Sequence, residues 1–431
     1  MKKNICEIGD YVKLFTRDEE FKGCLIPSTN KDAYILKLDS GYNIGINKNK
    51  IKKISIINKF QSKKEKIEKV VYKKNLPTIS ILHTGGTLAS RVSYETGAVS
   101  ASFKAEEILA MFPEIENIAN INSSLISNMF SEDMRFSHYN LIAKAIEKEV
   151  KKGAHGIIIT HGTDTIHYTS AALSFILQDL GIPVILVGAQ RSSDRGSSDS
   201  GLNLLCAVNF ITKTNFSGVA ICMHESMSDE TCLILPGLKT RKLHSSRRDA
   251  FKVVNALPIA RVSKDGKVDF ISSYAKKDYN KKLKLKLINE KLKIGLLKVH
   301  PNMHVFEIKA YSNFDGLVIE GTGLGHMPIN KVDNFTEEHE LIFKELKKLA
   351  NKIPVIMTTQ TLFGNINMNV YSTGRRLLEI GILGNYLDVL PEVAFVKLAW
   401  LLSNFKKEVK ELISKNFHGE INERLTKEFL E

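Results

Sequence analysis

Two stretches of this chain end an apolar run in glycines and hydroxyls. The first is T-I-S-I-L-H-T-G-G-T-L-A-S, residues 78–90. Ile79, Ile81 and Leu82 form an apolar run the size of a buried strand. Gly85-Gly86 then marks a sharp turn that other backbone can approach closely. Thr84 and Thr87 flank it. The second stretch, Ile157–Thr165, reads I-I-I-T-H-G-T-D-T and ends in Gly162, Thr163 and Asp164. A threonine hydroxyl is a weak nucleophile until something takes its proton or stabilises its alkoxide. An acid beside Thr163 and a lysine from elsewhere could do that. Taken alone, each stretch is also what a strand followed by a turn with capping threonines looks like.

Other candidates are less supported. There is no G-x-S-x-G elbow for a Ser-His-Asp nucleophile. Cys24 and Cys222 have no setting that would activate a thiol, and buried apolar cysteine suits them better. His155, His161 and His167 recur every six residues, neither a helical face nor a metal-ligand spacing. Gly321–His326, G-T-G-L-G-H, has the look of a phosphate loop but lacks the right helix after it. Arg375-Arg376 reads as a solvated helix end and Trp400 as core.

The elements around these residues place the hydroxyls at strand ends. From Thr78 to about Ile271 strands alternate with helices, with Gly156–Thr160, Ile182–Val187 and Gly218–Met223 as strands. Tyr139–Lys152, Thr169–Leu180 and Asn203–Thr212 read as helices. This is an α/β pattern with a mostly parallel, doubly wound sheet. Such sheets hold ligands at the carboxyl ends of their strands. Residues 1–57 carry five short strand-like pieces and no helix, which reads as a small β-barrel. Residues 58–75 are a charged linker, 76–272 the large α/β domain, and 273–293 a basic interdomain linker. Residues 294–431 form a smaller α/β domain with a helical tail from Lys406.

Composition narrows the class. The chain has 431 residues, 43% of them hydrophobic, enough for two or three domains with full cores. No apolar run has the length of a membrane span and the N-terminus has no signal-peptide core, so the expectation is cytoplasmic. Five scattered cysteines without a C-x-x-C pair fit a reducing compartment and no disulfide framework. The net charge of +14 is uneven: residues 1–74 hold 18 basic against 9 acidic side chains, and residues 276–293 hold 8 against 2. Basic appendages on a near-neutral body suit nucleic acid. A compositional bias toward Lys, Ile and Asn gives the same excess, so charge alone does not choose.

T-G-G-T-L-A-S followed by H-G-T-D-T, each after a strand, resembles the paired signature of the L-asparaginase/glutaminase amidohydrolases. The resemblance covers roughly residues 76–405. It implies a two-domain asparaginase-like fold. It implies Thr87 as the nucleophile on a side-chain carboxamide, assisted by Tyr94 of Y-E-T-G. Thr163, Asp164 and Lys242, the last in L-P-G-L-K-T-R-K, form the second catalytic group. Ser131 and Glu132 of S-E-D-M, with Asp164, grip the amino-acid α-groups, and backbone at Gly86 and Gly162 borders the substrate and its oxyanion. V-G-A-Q-R-S-S-D-R, residues 187–195, matches the segment after the third strand.

Glu132 departs from the free bacterial enzymes, which commonly have glutamine after that serine. With the extra N-terminal module and the segments 360–379 and 390–400, it makes the chain similar to the D subunits of archaeal glutamyl-tRNA(Gln) amidotransferases. That resemblance implies an enzyme component that frees ammonia from glutamine or asparagine and passes it to a partner, the E subunit of the amidotransferase. The partner uses ATP and Mg²⁺ to amidate Glu-tRNA(Gln), and no cofactor is implied in this chain. The loop 321–326 implies a homodimer, hence a D2E2 heterotetramer. The rival readings are a free-standing cytoplasmic L-asparaginase and a catalytically silent tRNA-binding subunit.

Overall fold

The computed structural model describes residues 6–28, 30–40, 42–59, 72–86, 90–92, 99–101, 105–191 and 197–424. At the N-terminus, β1 (Tyr11–Phe15), β2 (Glu20–Ile26), β3 (Ala33–Lys37), β4 (Asn43–Asn47) and β5 (Lys53–Asn58) form one antiparallel sheet in the order β4-β3-β2-β1-β5. Alternate residues point inward, and Val12, Leu14, Leu25, Leu36 and Ile46 make a core of their own. The expected barrel is open, because among the described residues β4 and β5 are not paired with each other.

The large unit is built on an eight-stranded sheet. Its strands are β6 (Thr78–His83), β9 (Asn120–Leu125), β10 (Gly156–Thr160), β12 (Pro183–Val187), β13 (Gly218–His224), β14 (Thr231–Pro236), β17 (Ala260–Ser263) and β18 (Val268–Phe270). The run β9-β6-β10-β12-β13 is parallel; β14, β17 and β18 extend one edge antiparallel. The central strands are largely apolar because both faces are covered. Ile157 and Ile159 point into one core with α2 (Phe136–Lys151) and α3 (Ile166–Ile176). Ile158 points into the other, with α1 (Ala105–Met111) and α4 (Ser200–Lys213). Short ribbons complete the unit: β7 (Ser90–Val92) with β8 (Val99–Ala101), and β15 (Thr240–Lys242) with β16 (Phe251–Val253). Helix α3 starts three residues before the expected Thr169, so it begins directly behind Thr163-Asp164-Thr165.

The segment 273–293 is laid along the large unit: β19 (Lys284–Leu285) pairs with β11 (Leu177–Gln178), and Ile288 is buried. Beyond it, β20 (Ile294–Lys298), β21 (Gly316–Gly321) and β22 (Val355–Thr359) form a parallel three-stranded sheet. It carries α5 (Val305–Lys309), α6 (Glu337–Lys352), α7 (Ser372–Glu379) and α8 (Pro391–Asn404). Trp400 of α8 stacks on Phe175 of α3, so one core joins the two units. Arg376 is not simply solvated: it donates to the Ile329 carbonyl and lies over the Phe343 ring. Among the described residues the tail is helical over a 3-10 turn (Lys406–Glu408) and α9 (Val409–Leu412). Past it the chain wraps the buried Lys397 ammonium, which bonds the carbonyls of Ile413 and Lys415 and the Glu420 carboxylate. A continuous helix would use those carbonyls internally. Among the described residues no helix is long and apolar enough to cross a membrane.

Candidate active site

Strands β6 and β10 are parallel neighbours with His83 opposite Thr160. Their two turns therefore leave the carboxyl edge of the sheet side by side. Thr84 is spent on holding them together: its N–H (3.1 Å) and hydroxyl (2.8 Å) both donate to the Thr160 carbonyl. Gly85 and Gly86 have φ of +112° and +84°, a region that favours glycine. Space demands glycine too. A Cβ on Gly85 would lie 2.2 Å from the Met129 carbonyl oxygen, and one on Gly86 would lie 2.8 Å from the Gly162 nitrogen. Gly162 is hemmed in by Ser131, whose Oγ would be 2.9 Å from an added Cβ. The two glycine turns and the 131 loop thus meet in close contact.

Thr163 and Asp164 follow on the second turn. Lys242, at the end of β15, reaches both: its Nζ donates to Thr163 Oγ1 at 2.9 Å and to Asp164 Oδ1 at 2.7 Å. The Lys242 side chain is 10% exposed, whereas that of Asp164 is 65% exposed. Thr163 in turn donates to Gln190 Oε1 at 3.1 Å. Gln190 lies just past β12, and the buried carboxylate of Asp199 accepts from the backbone N–H groups of Gln190 (3.0 Å) and Arg191 (2.9 Å). Two adjacent parallel strands, β10 and β12, and one ribbon so contribute to one polar cluster.

His161 fixes the turn from beneath. Burial pushes its imidazole down to about 4, so it is neutral near pH 7. Nδ1 donates to the Gly162 carbonyl at 2.7 Å and Nε2 accepts from the Thr169 hydroxyl at 2.7 Å. The histidine packs beside the turn. Among the described residues no acidic, cysteine and histidine groups are placed to hold a metal. Ser131 is buried, and its Oγ has no hydrogen-bond partner among the described residues, while its carbonyl accepts from Thr165 at 2.6 Å. Glu132 is exposed beside it. A cavity of about 380 Å³ adjoins Lys242, lined by Asp164, Tyr168, Arg241 and Glu392 among others. Glu392 pairs with Arg241 at 3.1 Å, and burial pushes its carboxyl up.

The structure thus brings together Gly86, Ser131, Gly162, Thr163, Asp164 and Lys242, with Glu132 at the margin. Thr87 and Tyr94 lie outside the described residues. The residues that sequence reasoning did not assign are Gln190 and Asp199. V-G-A-Q-R placed Gln190 after a buried strand at the ligand-binding edge of the sheet, but nothing in the sequence signalled its partner or the Asp199 clamp.

Comparison with known proteins bears on the same residues. Residues 78–276 match the family model described as Asparaginase, N-terminal, and residues 293–414 the Glutaminase/Asparaginase C-terminal domain. Residues 6–57 match the GatD N-terminal domain. A glutamyl-tRNA(Gln) amidotransferase D subunit from Methanococcus maripaludis is 45% identical over 429 residues, covering 98% of this chain and 100% of the relative. One from Pyrococcus furiosus is 43% identical, covering 98% and 96%. The chain belongs to the family of glutamyl-tRNA(Gln) amidotransferase D subunits. Its body has the asparaginase fold that this family shares with solved enzymes. A thermostable L-asparaginase from Thermococcus kodakarensis superposes with a TM-score of 0.69 at 29% identity, covering 80% of this chain and 99% of that one. L-asparaginase I from Vibrio cholerae gives 0.68 at 26% identity, covering 80% and 99%.

Proposed function

We propose that this chain is the ammonia-releasing subunit of a cytoplasmic Glu-tRNA(Gln) amidotransferase. It hydrolyses the side-chain amide of glutamine, or of asparagine. The ammonia goes to a partner subunit that amidates Glu-tRNA(Gln) with ATP and Mg²⁺. The observation that carries the reading is the Lys242 ammonium bridging Thr163 and Asp164 beside the Gly86–Gly162 contact. A lysine so placed can take and return a proton through the threonine hydroxyl while the carboxylate holds it in position.

Thr87 follows Gly86 in the chain and is the nucleophile in this reading. Its hydroxyl attacks the carboxamide carbon with Tyr94 assisting. The carbonyl oxygen gains charge and backbone N–H groups at the glycine turns receive it. The C–N bond breaks, the nitrogen takes a proton and ammonia leaves, with the acyl group on Thr87 as an ester. Water held at Thr163–Lys242–Asp164 then adds to the ester, and glutamate and the Thr87 hydroxyl are released. Glu132 and Asp164 suit the substrate's α-ammonium. The unpartnered Ser131 hydroxyl suits its α-carboxylate. Two copies of the chain with two partner subunits make the D2E2 assembly.

The likeness to L-asparaginases over 80% of the chain favours a second reading, a free-standing asparaginase. The module at 6–57, with its own family match and its own core, supports the amidotransferase reading instead. The test is Lys242→Met in the assembled complex. Glutamine-dependent amidation should vanish while amidation with supplied ammonium persists. Retained glutamine hydrolysis would show that Lys242 has no part in it.

A further inference from the structure

The Lys242–Thr163 contact has a direction. A charged ammonium has donors and no acceptor, so the Thr163 oxygen accepts from it at 2.9 Å. The single Thr163 proton must then point elsewhere, and it points at Gln190 Oε1, 3.1 Å away. That turns the Gln190 amide so that Nε2 faces into the protein, where it is buried with no partner among the described residues. Buried polar groups are nearly always paired, and a glutamine kept only for packing would not leave a donor orphaned. The backbone beneath is fixed: Asp199 clamps the N–H groups of Gln190 and Arg191, and Asn203 Nδ2 in turn holds Asp199 at 3.2 Å. Gly188 lies against Thr163 on the other side, with room for no side chain: a Cβ there would be 2.8 Å from Thr163 Cγ2. The backbone that carries the glutamine is thus held beside Thr163.

We infer that Gln190 is a positioning residue for amide hydrolysis: its carbonyl keeps the Thr163 proton turned away from Lys242 and so sets the pH at which the pair can accept one. This rests on the reading of Thr163 and Lys242 given above. While Lys242 is charged, the Thr163 proton belongs to Gln190. Once Lys242 is neutral, its lone pair and the Gln190 carbonyl compete for that proton. Other charges act on Lys242 as a constant background. Asp164 faces it directly, and Arg241, His167, His244 and Glu392 line the cavity beside it. Asp199 lies behind Gln190 with His224 reached through Asn203. None of these is altered by changing Gln190.

Two substitutions then act with opposite sign. Gln190→Met keeps the volume and removes the acceptor, which frees the Thr163 proton for a neutral Lys242. The acid limb of the kcat profile for glutamine should move to lower pH, by about half a unit for loss of a neutral hydrogen bond. Gln190→Glu strengthens the acceptor and adds a negative charge near the ammonium, and the limb should move up by about one unit or more. KM should stay within about twofold for both, because Gln190 acts through Thr163 and not on the substrate's α-groups.

The measurement is the pH profile of glutamine hydrolysis by the full chain with its partner subunit, for wild type, both variants and Lys242→Met, with thermal unfolding of each. Gln190→Leu replaces the Met arm if that variant does not fold. Opposite displacement of the acid limb supports the inference. Displacement in the same direction, no displacement, or an effect confined to KM overturns it. The Lys242→Met arm separates the two levels. If it keeps the activity and its acid limb, the underlying reading falls. If it is inactive and the Gln190 variants leave the limb in place, only the role of Gln190 falls.

Discussion

Gly86→Ala tests whether the meeting of the two glycine turns is needed for function. Two costs can be separated. At φ +84° an L-residue is strained by roughly 1–2 kcal/mol. The methyl would also lie 2.8 Å from the Gly162 nitrogen and 2.9 Å from the His161 carbonyl carbon, where ordinary contact begins at 3.4 Å. About 0.6 Å of movement is required. The second turn resists it, since the His161 N–H is bonded to the Val187 carbonyl at 2.9 Å. The first turn must move, and Thr87 is its next residue. A misplacement approaching 1 Å costs on the order of 10²-fold in rate. Gly153→Ala is the control: its φ is +87°, and no atom lies within 4 Å of an added Cβ. Both variants should lose the roughly 1–2 kcal/mol of backbone strain, about 2–4 °C in melting temperature per kcal/mol for a unit of this size, and Gly86→Ala should lose more because of its clash. Only Gly86→Ala should lose kcat for glutamine, by about 10–100-fold. Wild-type kcat in Gly86→Ala, or an equal loss in Gly153→Ala, would refute the reasoning.

Two further outcomes follow from the same structure. Burial holds His83 and His161 down to about 4 and His167 to about 3. Below the ordinary value of 6.5 the unfolded chain therefore binds protons that the folded chain refuses, so stability is full above that pH and falls as pH drops toward 4. Near pH 5 three such sites give a slope of about 3–4 kcal/mol per pH unit. Glu392, held above the ordinary carboxylate value, opposes this by less than one proton. Denaturant midpoints at pH 7, 6 and 5 measure it, and a flat profile would contradict the burial of these rings. Removing residues 1–57 should leave glutamine hydrolysis intact, since that module has its own core. An inactive truncation that still melts cooperatively would show that the module shapes the site.

The parallel strands β6, β10, β12 and β13 were legible from their apolar runs, three of them closely followed by glycine, whereas β9 and the antiparallel edge β14, β17 and β18 were not. Ile157, Ile158 and Ile159 read as a buried strand, and the structure splits them between two cores. The five N-terminal strands were equally plain, but whether the edge strands β4 and β5 pair was not, since edge pairing leaves no periodic signature. The tail past Leu412 misled for a physical reason. Its amphipathic spacing is helical, and one buried ammonium, Lys397, outcompetes the helix for its carbonyls. At the site, Thr163, Asp164 and Lys242 were found through a resemblance, since 78 residues separate Asp164 from the lysine it bonds. Gln190 and Asp199 stayed unassigned because their roles lie in a hydrogen-bond direction and a backbone clamp, which residue types do not reveal.

Thr87→Ala in the assembled complex tests the central claim most directly. Amidation of Glu-tRNA(Gln) is measured with glutamine and, in parallel, with ammonium as the nitrogen source. Loss with glutamine and full activity with ammonium is the predicted result. Undiminished glutamine-dependent amidation, or equal loss with both sources, would contradict the assignment of Thr87 as the nucleophile that frees the ammonia.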